Sequence, residues 1–428
     1  MTPLFSNLSA DGTTLKHHPG SVLSSAALIA GTTIGAGILA LPAVTLPAGL
    51  LPSTLLMMAS WLYMVFSGLL IAEVNLRAMR RSGNPELGLL STIRRTLGKG
   101  GAIAAGIVYI FIHYALLVAY TARGGDILAE AIQSLFRRLG GAQSVPLWWG
   151  HVMFATLLGG VLFGSSRRFV GRLNNALVAL AIGTFALLTG LMLTHLHPTY
   201  WQSQHWDAVG LVVPVLFVAF VYQNVVPVVT TQLEGDARKI RRAIWLGSLV
   251  PLVMFALWNA VILGTVSGLD MRIAGEAVDP LEMLRQGGWV QPGLGAAISA
   301  FSEFAIATSF IGFALGLLSV FEDILSPAFR ANNGRLPAYA LIFLPPLAFS
   351  VIDPNIFFDA IELAGAFGNS VLFGIIPALM AWKSRESHES SPEIMRFVPG
   401  GRGVLVGMVA IAAIIIVQNA LIKIGILA

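Results

Sequence analysis

The sequence predicts an all-α polytopic membrane protein, and three observations carry the prediction. Of its 428 residues, 56% are hydrophobic and only 11% charged, whereas a soluble domain carries about a quarter charged residues. Apolar runs long enough to cross a ~30 Å hydrocarbon core, about 20 residues each, recur from Ser21 to the C-terminus. Two of those runs are broken by glycine, proline and polar residues, which suit a cavity wall better than a plain lipid-spanning helix. The chain has no cysteine, which excludes disulfides, thiolate metal sites and cysteine nucleophiles.

Residues 1–20 form a polar tail, expected on the cytoplasmic side, with no apolar core followed by a small-residue cleavage site. The first span is therefore expected to serve as its own insertion signal. Eleven spans are expected near 22–47, 50–76, 101–122, 147–165, 172–194, 209–232, 242–266, 294–321, 336–352, 356–382 and 403–424. Their connections leave no room for a soluble domain. The longest external one, Ser267 to Gln291, carries Asp270, Arg272, Glu276, Asp279, Glu282 and Arg285.

Basic residues orient the chain. Lys16 precedes span 1; Arg77, Arg80, Arg81, Arg94, Arg95 and Lys99 lie between spans 2 and 3; Arg167, Arg168 and Arg172 join spans 4 and 5. Arg238, Lys239, Arg241 and Arg242 join spans 6 and 7, Arg330 and Arg335 join 8 and 9, and Lys383, Arg385, Arg396 and Arg402 join 10 and 11. All of these fall on one side, which the positive-inside rule makes cytoplasmic. The N-terminus is then inside and, with eleven spans, the C-terminus outside. The net charge of +5 is thus a topology signal and not a nucleic-acid surface.

Span 1 contains Gly31-Thr-Thr-Ile-Gly-Ala-Gly-Ile-Leu-Ala-Leu-Pro42, and span 6 contains Val213-Pro-Val-Leu-Phe-Val-Ala-Phe-Val-Tyr-Gln-Asn-Val-Val-Pro227. Glycine lowers helix propensity and proline removes a backbone donor, so both helices should loosen or break. Two interrupted spans at matching places in two five-span halves, running in opposite directions, indicate an inverted repeat. We assign residues 21–195 to the first repeat, 209–383 to the second and 403–424 to an extra span. Half-helix ends would then meet near the midplane, where free amides receive a carboxylate and free carbonyls an ammonium or a cation. A zwitterionic amino acid offers both groups.

At these residues the chain resembles the tryptophan/tyrosine permease family, the hydroxy/aromatic amino acid permeases of the amino acid–polyamine–cation superfamily. Besides the glycine motif of span 1, the similar stretches are Glu73-Val-Asn-Leu76, Ala305-Ile-Ala-Thr-Ser-Phe-Ile-Gly-Phe-Ala-Leu-Gly316 and Leu372-Phe-Gly-Ile-Ile-Pro-Ala-Leu-Met-Ala-Trp382. The resemblance implies a LeuT-like five-plus-five transporter with an eleventh span, importing aromatic amino acids with protons across a bacterial inner membrane. Two departures stand out. A turn expected after span 3, Tyr120-Thr-Ala-Arg-Gly-Gly125, places Arg123 where the family pattern has a small residue, and span 10 opens with Asp359 and Glu362.

Glu303 lies nine residues into span 8, about 13 Å deep at ~1.5 Å per residue, where an ionisable group is costly and functional by default. Desolvation favours its neutral form, so it can carry a proton as access alternates; the alternative is a permanently protonated bridge between helices. His113 and Tyr114 sit mid-span in segment 3 and are both candidates for contact with the substrate. His113 is read either as a second proton site or substrate partner, or as a helix-to-helix hydrogen bond. Thr32, Thr33, Gly35, Ala36 and Gly37 are candidates for holding the substrate's α-amino and α-carboxyl groups through backbone atoms. Phe220 and Tyr222, with Gln223, are candidates for its ring and any hydroxyl or indole N–H; Phe217 is read as an ordinary lipid-facing or core aromatic. Thr308 and Ser309 are read as packing residues or as a cation site facing span 1. Glu73 falls at the cytoplasmic edge as a gate or structural contact. Asp353, Asp359 and Glu362 are expected to face the outer vestibule, solvated or paired, with Arg123 as one partner, or else acting as a gate.

A membrane-embedded enzyme is disfavoured: the chain has no His-Glu-x-x-His, Gly-x-Ser-x-Gly or Walker loop and no paired intramembrane aspartates. Paired discontinuous spans favour alternating access over an open channel. No cofactor or metal is expected beyond a coupling ion, a proton or else sodium. The expected partners are an aromatic amino acid and the bilayer, with no nucleic acid and no obligate protein.

Overall fold

The computed structural model describes residues 4–426 apart from 6–7, 12–13, 18–19, 36, 85–86, 141–144, 267–279, 287–292, 325–334, 354 and 387–395. The acidic and basic residues expected in the external loop at 270–279 fall outside the described residues. Apart from a short antiparallel hairpin, β1 (Leu8–Asp11) and β2 (Thr14–His17), the described chain is helical. Nine described helices are long and apolar enough to cross a membrane. The pair α1 (Val22–Thr33) and α2 (Gly37–Thr45), bent by 57°, makes a tenth if counted as one span. The remaining expected span is a shorter apolar helix, Leu336–Ile352.

Both interrupted runs break. α1 ends at Thr33 and α2 starts at Gly37. In span 6, α7 (Val212–Ala219) gives way at Phe220 to a 3-10 turn, Gln223–Val225, before α8 (Val226–Gln232) resumes with Pro227 in its first turn. Proline fits there because the first helical amides have no intrahelical acceptor.

The long helices are α3 (Leu50–Ser82), α4 (Leu89–Arg138), α5 (Leu147–Gly164), α6 (Arg167–Met192) and α9 (Ala237–Thr265). After a short α10 (Pro280–Gln286) come α11 (Leu294–Ile324) and α12 (Arg335–Ile352). Span 10 is α13 (Ile356–Leu363), a π-helical stretch Ala364–Ile375 and α14 (Ile376–Glu386), and α15 (Gly401–Lys423) closes the chain. Span 6 and span 10 are the most buried of the candidate spans, and α6 and α15 are among the least. The outward faces of α9 and α15 carry Leu246, Val253, Ile411, Ile414 and Val417, an apolar surface that matches lipid.

The turn expected at Tyr120–Gly125 is not there: α4 runs on as helix through those residues to Arg138. Its glycines serve helix packing instead. A Cβ on Gly125 would lie 2.6 Å from the His151 backbone of α5, so α4 and α5 approach closer than any larger residue permits. Asp359 and Glu362 meet Lys423 of α15, at 2.6 and 3.3 Å, while the Arg123 guanidinium lies over the Phe357 ring, 5.9 Å from its centre.

The candidate substrate cavity

Where the helices break, spans 1 and 6 touch. A Cβ on Gly37 would sit 2.9 Å from Ala219 Cα, so the start of α2 rests directly on the end of α7. On the other side of the break, the Gly35 backbone rests on the Ser309 side chain of α11. Ser309 also shares a hydrogen bond with the Tyr120 hydroxyl of α4. Thr32 and Thr33 donate their hydroxyls back to the carbonyls of Leu28 and Ile29, at 2.7 and 2.8 Å, a bond that favours helix bending.

Beside this junction lies a cavity of about 530 Å³, within the range that holds a small molecule. α1 contributes Gly31 and Thr32, α4 Tyr109 and His113, and α6 Asn174 and Asn175. The span 6 break contributes Val221, Asn224 and Val225, and α11 contributes Thr308, Ser309, Gly312, Phe313 and Gly316. Among the described residues, none that lines it is an Asp, Glu, Lys or Arg. A charged ligand group there would meet backbone dipoles, hydroxyls, amides and one imidazole.

The polar groups on this wall are specific in geometry. His113 is buried, stacks on Tyr109 at 3.8 Å and meets Phe313 edge-on at 5.0 Å. Its Nδ1 lies 2.7 Å from the Tyr109 carbonyl, which can only accept, so Nδ1 carries the proton and Nε2 is the basic nitrogen. Nε2 lies against Gly316, where a Cβ would come within 2.6 Å. Asn224 and Asn174 each hold a buried side-chain carbonyl oxygen with no hydrogen-bond partner among the described residues. Such acceptors are costly to bury unmet, and both stand on the cavity wall. A void about the size of one water adjoins it between His113, Asn224 and Asn369.

Of the residues singled out from sequence, Thr32, His113, Thr308 and Ser309 line the cavity, and Gly35 and Gly37 hold the junction beside it. Ala36 lies outside the described residues. Thr33 is buried and is not among the lining residues. Phe220, Tyr222 and Gln223 are buried behind the wall: Phe220 packs on Phe255, and Tyr222 and Gln223 donate to the Met64 carbonyl of α3 at 3.1 and 3.2 Å. The Tyr114 hydroxyl donates to Leu341 of α12. Glu303 is half-buried on α11, about 7.5 Å along the helix axis from Thr308 at ~1.5 Å per residue, and is not among the lining residues. Asn174, Asn175 and Asn224 also line the cavity, none of them a candidate on sequence grounds. An Asn-Asn doublet inside apolar span 5 was the signal available for the first two.

A model of the tryptophan/tyrosine permease family matches residues 18–418 of the chain. Tyrosine-specific transport system 1 of Haemophilus influenzae is 28% identical over 86% of this chain and 90% of its own length. The tryptophan-specific transport protein of Pseudomonas aeruginosa is 29% identical over 86% and 87%. The tryptophan-specific transport protein of Shigella flexneri is 30% identical over 94% and 95%.

Proposed function

The chain belongs to the tryptophan/tyrosine permease family, whose members are transport proteins and not enzymes, and on that premise we propose that it imports aromatic amino acids by proton symport with alternating access. In this reading the protein is a bacterial inner-membrane carrier with its N-terminus cytoplasmic and its C-terminus outside. Its eleven spans form a LeuT-like pair of inverted repeats, 21–195 and 209–383, followed by 403–424. What supports the reading most is the cavity of about 530 Å³ beside the contact of the two broken spans. Its glycines bring backbone to a ligand, its amides and hydroxyls supply hydrogen bonds, and Tyr109 and Phe313 offer ring faces.

We assign the α-amino and α-carboxyl groups to the backbone near Thr32 and Gly35 and the side chain of the substrate to the region of Asn224, Phe313 and His113. Phe220, Tyr222 and Gln223 back that surface from the α3 side. Glu303 is the proposed proton carrier, with His113 as the second titratable group. A sodium-coupled variant of the reading is favoured by one observation: the Ser309 side chain lies against Gly35 at the span 1 break, and Thr308 beside it also lines the cavity.

Uptake of labelled tyrosine, tryptophan and phenylalanine into proteoliposomes under an imposed proton or sodium gradient separates these outcomes. Proton-driven accumulation supports the proposal, sodium-driven accumulation supports the variant, and no saturable uptake of any of the three rejects both. Glu303→Gln is expected to abolish uphill uptake while leaving exchange of bound substrate intact; unchanged uphill uptake would contradict its role.

A further inference from the structure

A second cavity, of about 400 Å³, opens where the C-terminal end of α3, the start of α4 and α14 meet. Among the described residues its lining contains Arg77, Arg81, Arg95 and Lys383 and no acidic side chain. Thr96, Gly98 and Ser384 complete the polar part of the wall. The hollow exists because α4 bends at Gly98, whose φ of +86° lies in the left-handed region that glycine adopts without strain.

We propose that this cavity is a phosphate-binding site, and that its ligand is a phosphate group carried by an anionic phospholipid or a soluble phosphate. Positive-inside topology asks only for basic residues in loops; it does not ask for guanidinium groups to be taken out of water. Arg77 is more than nine-tenths buried, and one of its terminal nitrogens, Nη1, is buried with no hydrogen-bond partner among the described residues. Its other arm is engaged, Nη2 to Glu73 at 3.0 Å. Glu73 is also held in a two-point contact by Arg385, at 2.8 Å to each oxygen, and accepts from the Phe397 amide at 2.8 Å. One carboxylate therefore serves two guanidinium groups, and the positive charge of Arg95 and Lys383 adds to the excess. Planar arginine forks match the tetrahedral oxygens of phosphate, and basic pockets between spans suit anionic headgroups. The cavity lies apart from the proposed substrate site and shares none of its lining residues.

The test uses the full-length protein purified in detergent. Native mass spectrometry compares retention of phosphatidylglycerol with phosphatidylcholine, and a thermal-shift titration with inorganic phosphate covers the soluble source. Arg95→Gln/Lys383→Gln removes two exposed cavity charges, and Arg238→Gln/Arg242→Gln removes two exposed charges elsewhere on the same basic side. A tenfold or greater preference for phosphatidylglycerol that the first double variant loses and the second keeps supports a lipid ligand. Saturable stabilisation by inorganic phosphate with the same variant pattern, without lipid preference, supports a soluble one. Equal losses in the two double variants, or wild-type protein that binds neither probe, overturns the proposal. The wild-type measurement stands without any variant, so a folding failure does not leave the outcome open.

Discussion

His113 and Asn224 show how single residues turn a gap between helices into a site. The Tyr109 carbonyl fixes the His113 tautomer, leaving Nε2 as the basic nitrogen beside Gly316. Asn224 holds an unmet carbonyl oxygen on the wall of the cavity. A substrate N–H donated to it is worth about 1 kcal/mol net, so Asn224→Leu should raise the half-saturating substrate concentration several-fold, by roughly fivefold at ~1 kcal/mol. Unaltered concentration dependence in transport assays would remove Asn224 from the site. Tyr222→Phe acts differently: it deletes the bond to the Met64 carbonyl, so thermal stability should fall by about 1 kcal/mol while substrate affinity holds. A large change in affinity without loss of stability would return Tyr222 to direct substrate contact. Tyr222 and Gln223 turn toward α3, while Asn224 stands on the cavity wall. In spans that are apolar on every side, periodicity carries no direction, so Tyr222 and its near neighbour Asn224 could not be told apart.

At the scale of elements, the breaks in spans 1 and 6 were legible because glycine, proline and polar residues are out of place in a lipid-spanning helix. Gly31-to-Pro42 and Val213-to-Pro227 both interrupt as expected. The Arg123-Gly-Gly125 stretch misled for a related reason. Glycine pairs mark turns and they also mark close helix contacts, and only the partner, here Gly150 and His151 on α5, distinguishes the two. The same logic yields a paired prediction. Gly37→Val drives a side chain into Ala219 and should destabilise the protein by about 1–3 kcal/mol. Gly31→Ala meets nothing within 4 Å and should be neutral or stabilising by up to ~1 kcal/mol. Thermal unfolding of the two variants checks this, and equal melting points would mean that the α2–α7 contact is not tight.

On the scale of the whole molecule, buried ionic and polar ties hold the ends of the helices together. Glu73 joins α3 to α14 through Arg385 and to the backbone at Phe397. Its place at the basic end of span 2 was read from depth alone; its partners, remote in sequence, could not be. Removing that carboxylate leaves two buried guanidinium groups uncompensated, so Glu73→Ala should cost about 3–5 kcal/mol, visible as a collapse of thermal stability; a melting point within a degree of wild type would contradict it. At the same end Leu4 donates its amide to Glu234 and Phe5 packs on Ala78, Met79 and Leu87, tying the N-terminal tail to α3 and the turn before α9. If the cavity beside the touching breaks receives an aromatic amino acid, bound ligand should shield its wall, and the absence of cysteine from the chain lets a single introduced thiol report on that. Gly312 lines that cavity and a Cβ there meets nothing within 4 Å, so Gly312→Cys introduces one thiol without disturbing the wall. Tyrosine, tryptophan or phenylalanine should slow its alkylation by maleimide in a saturable manner while alanine does not; alkylation at the same rate with and without all three aromatic amino acids would contradict the account.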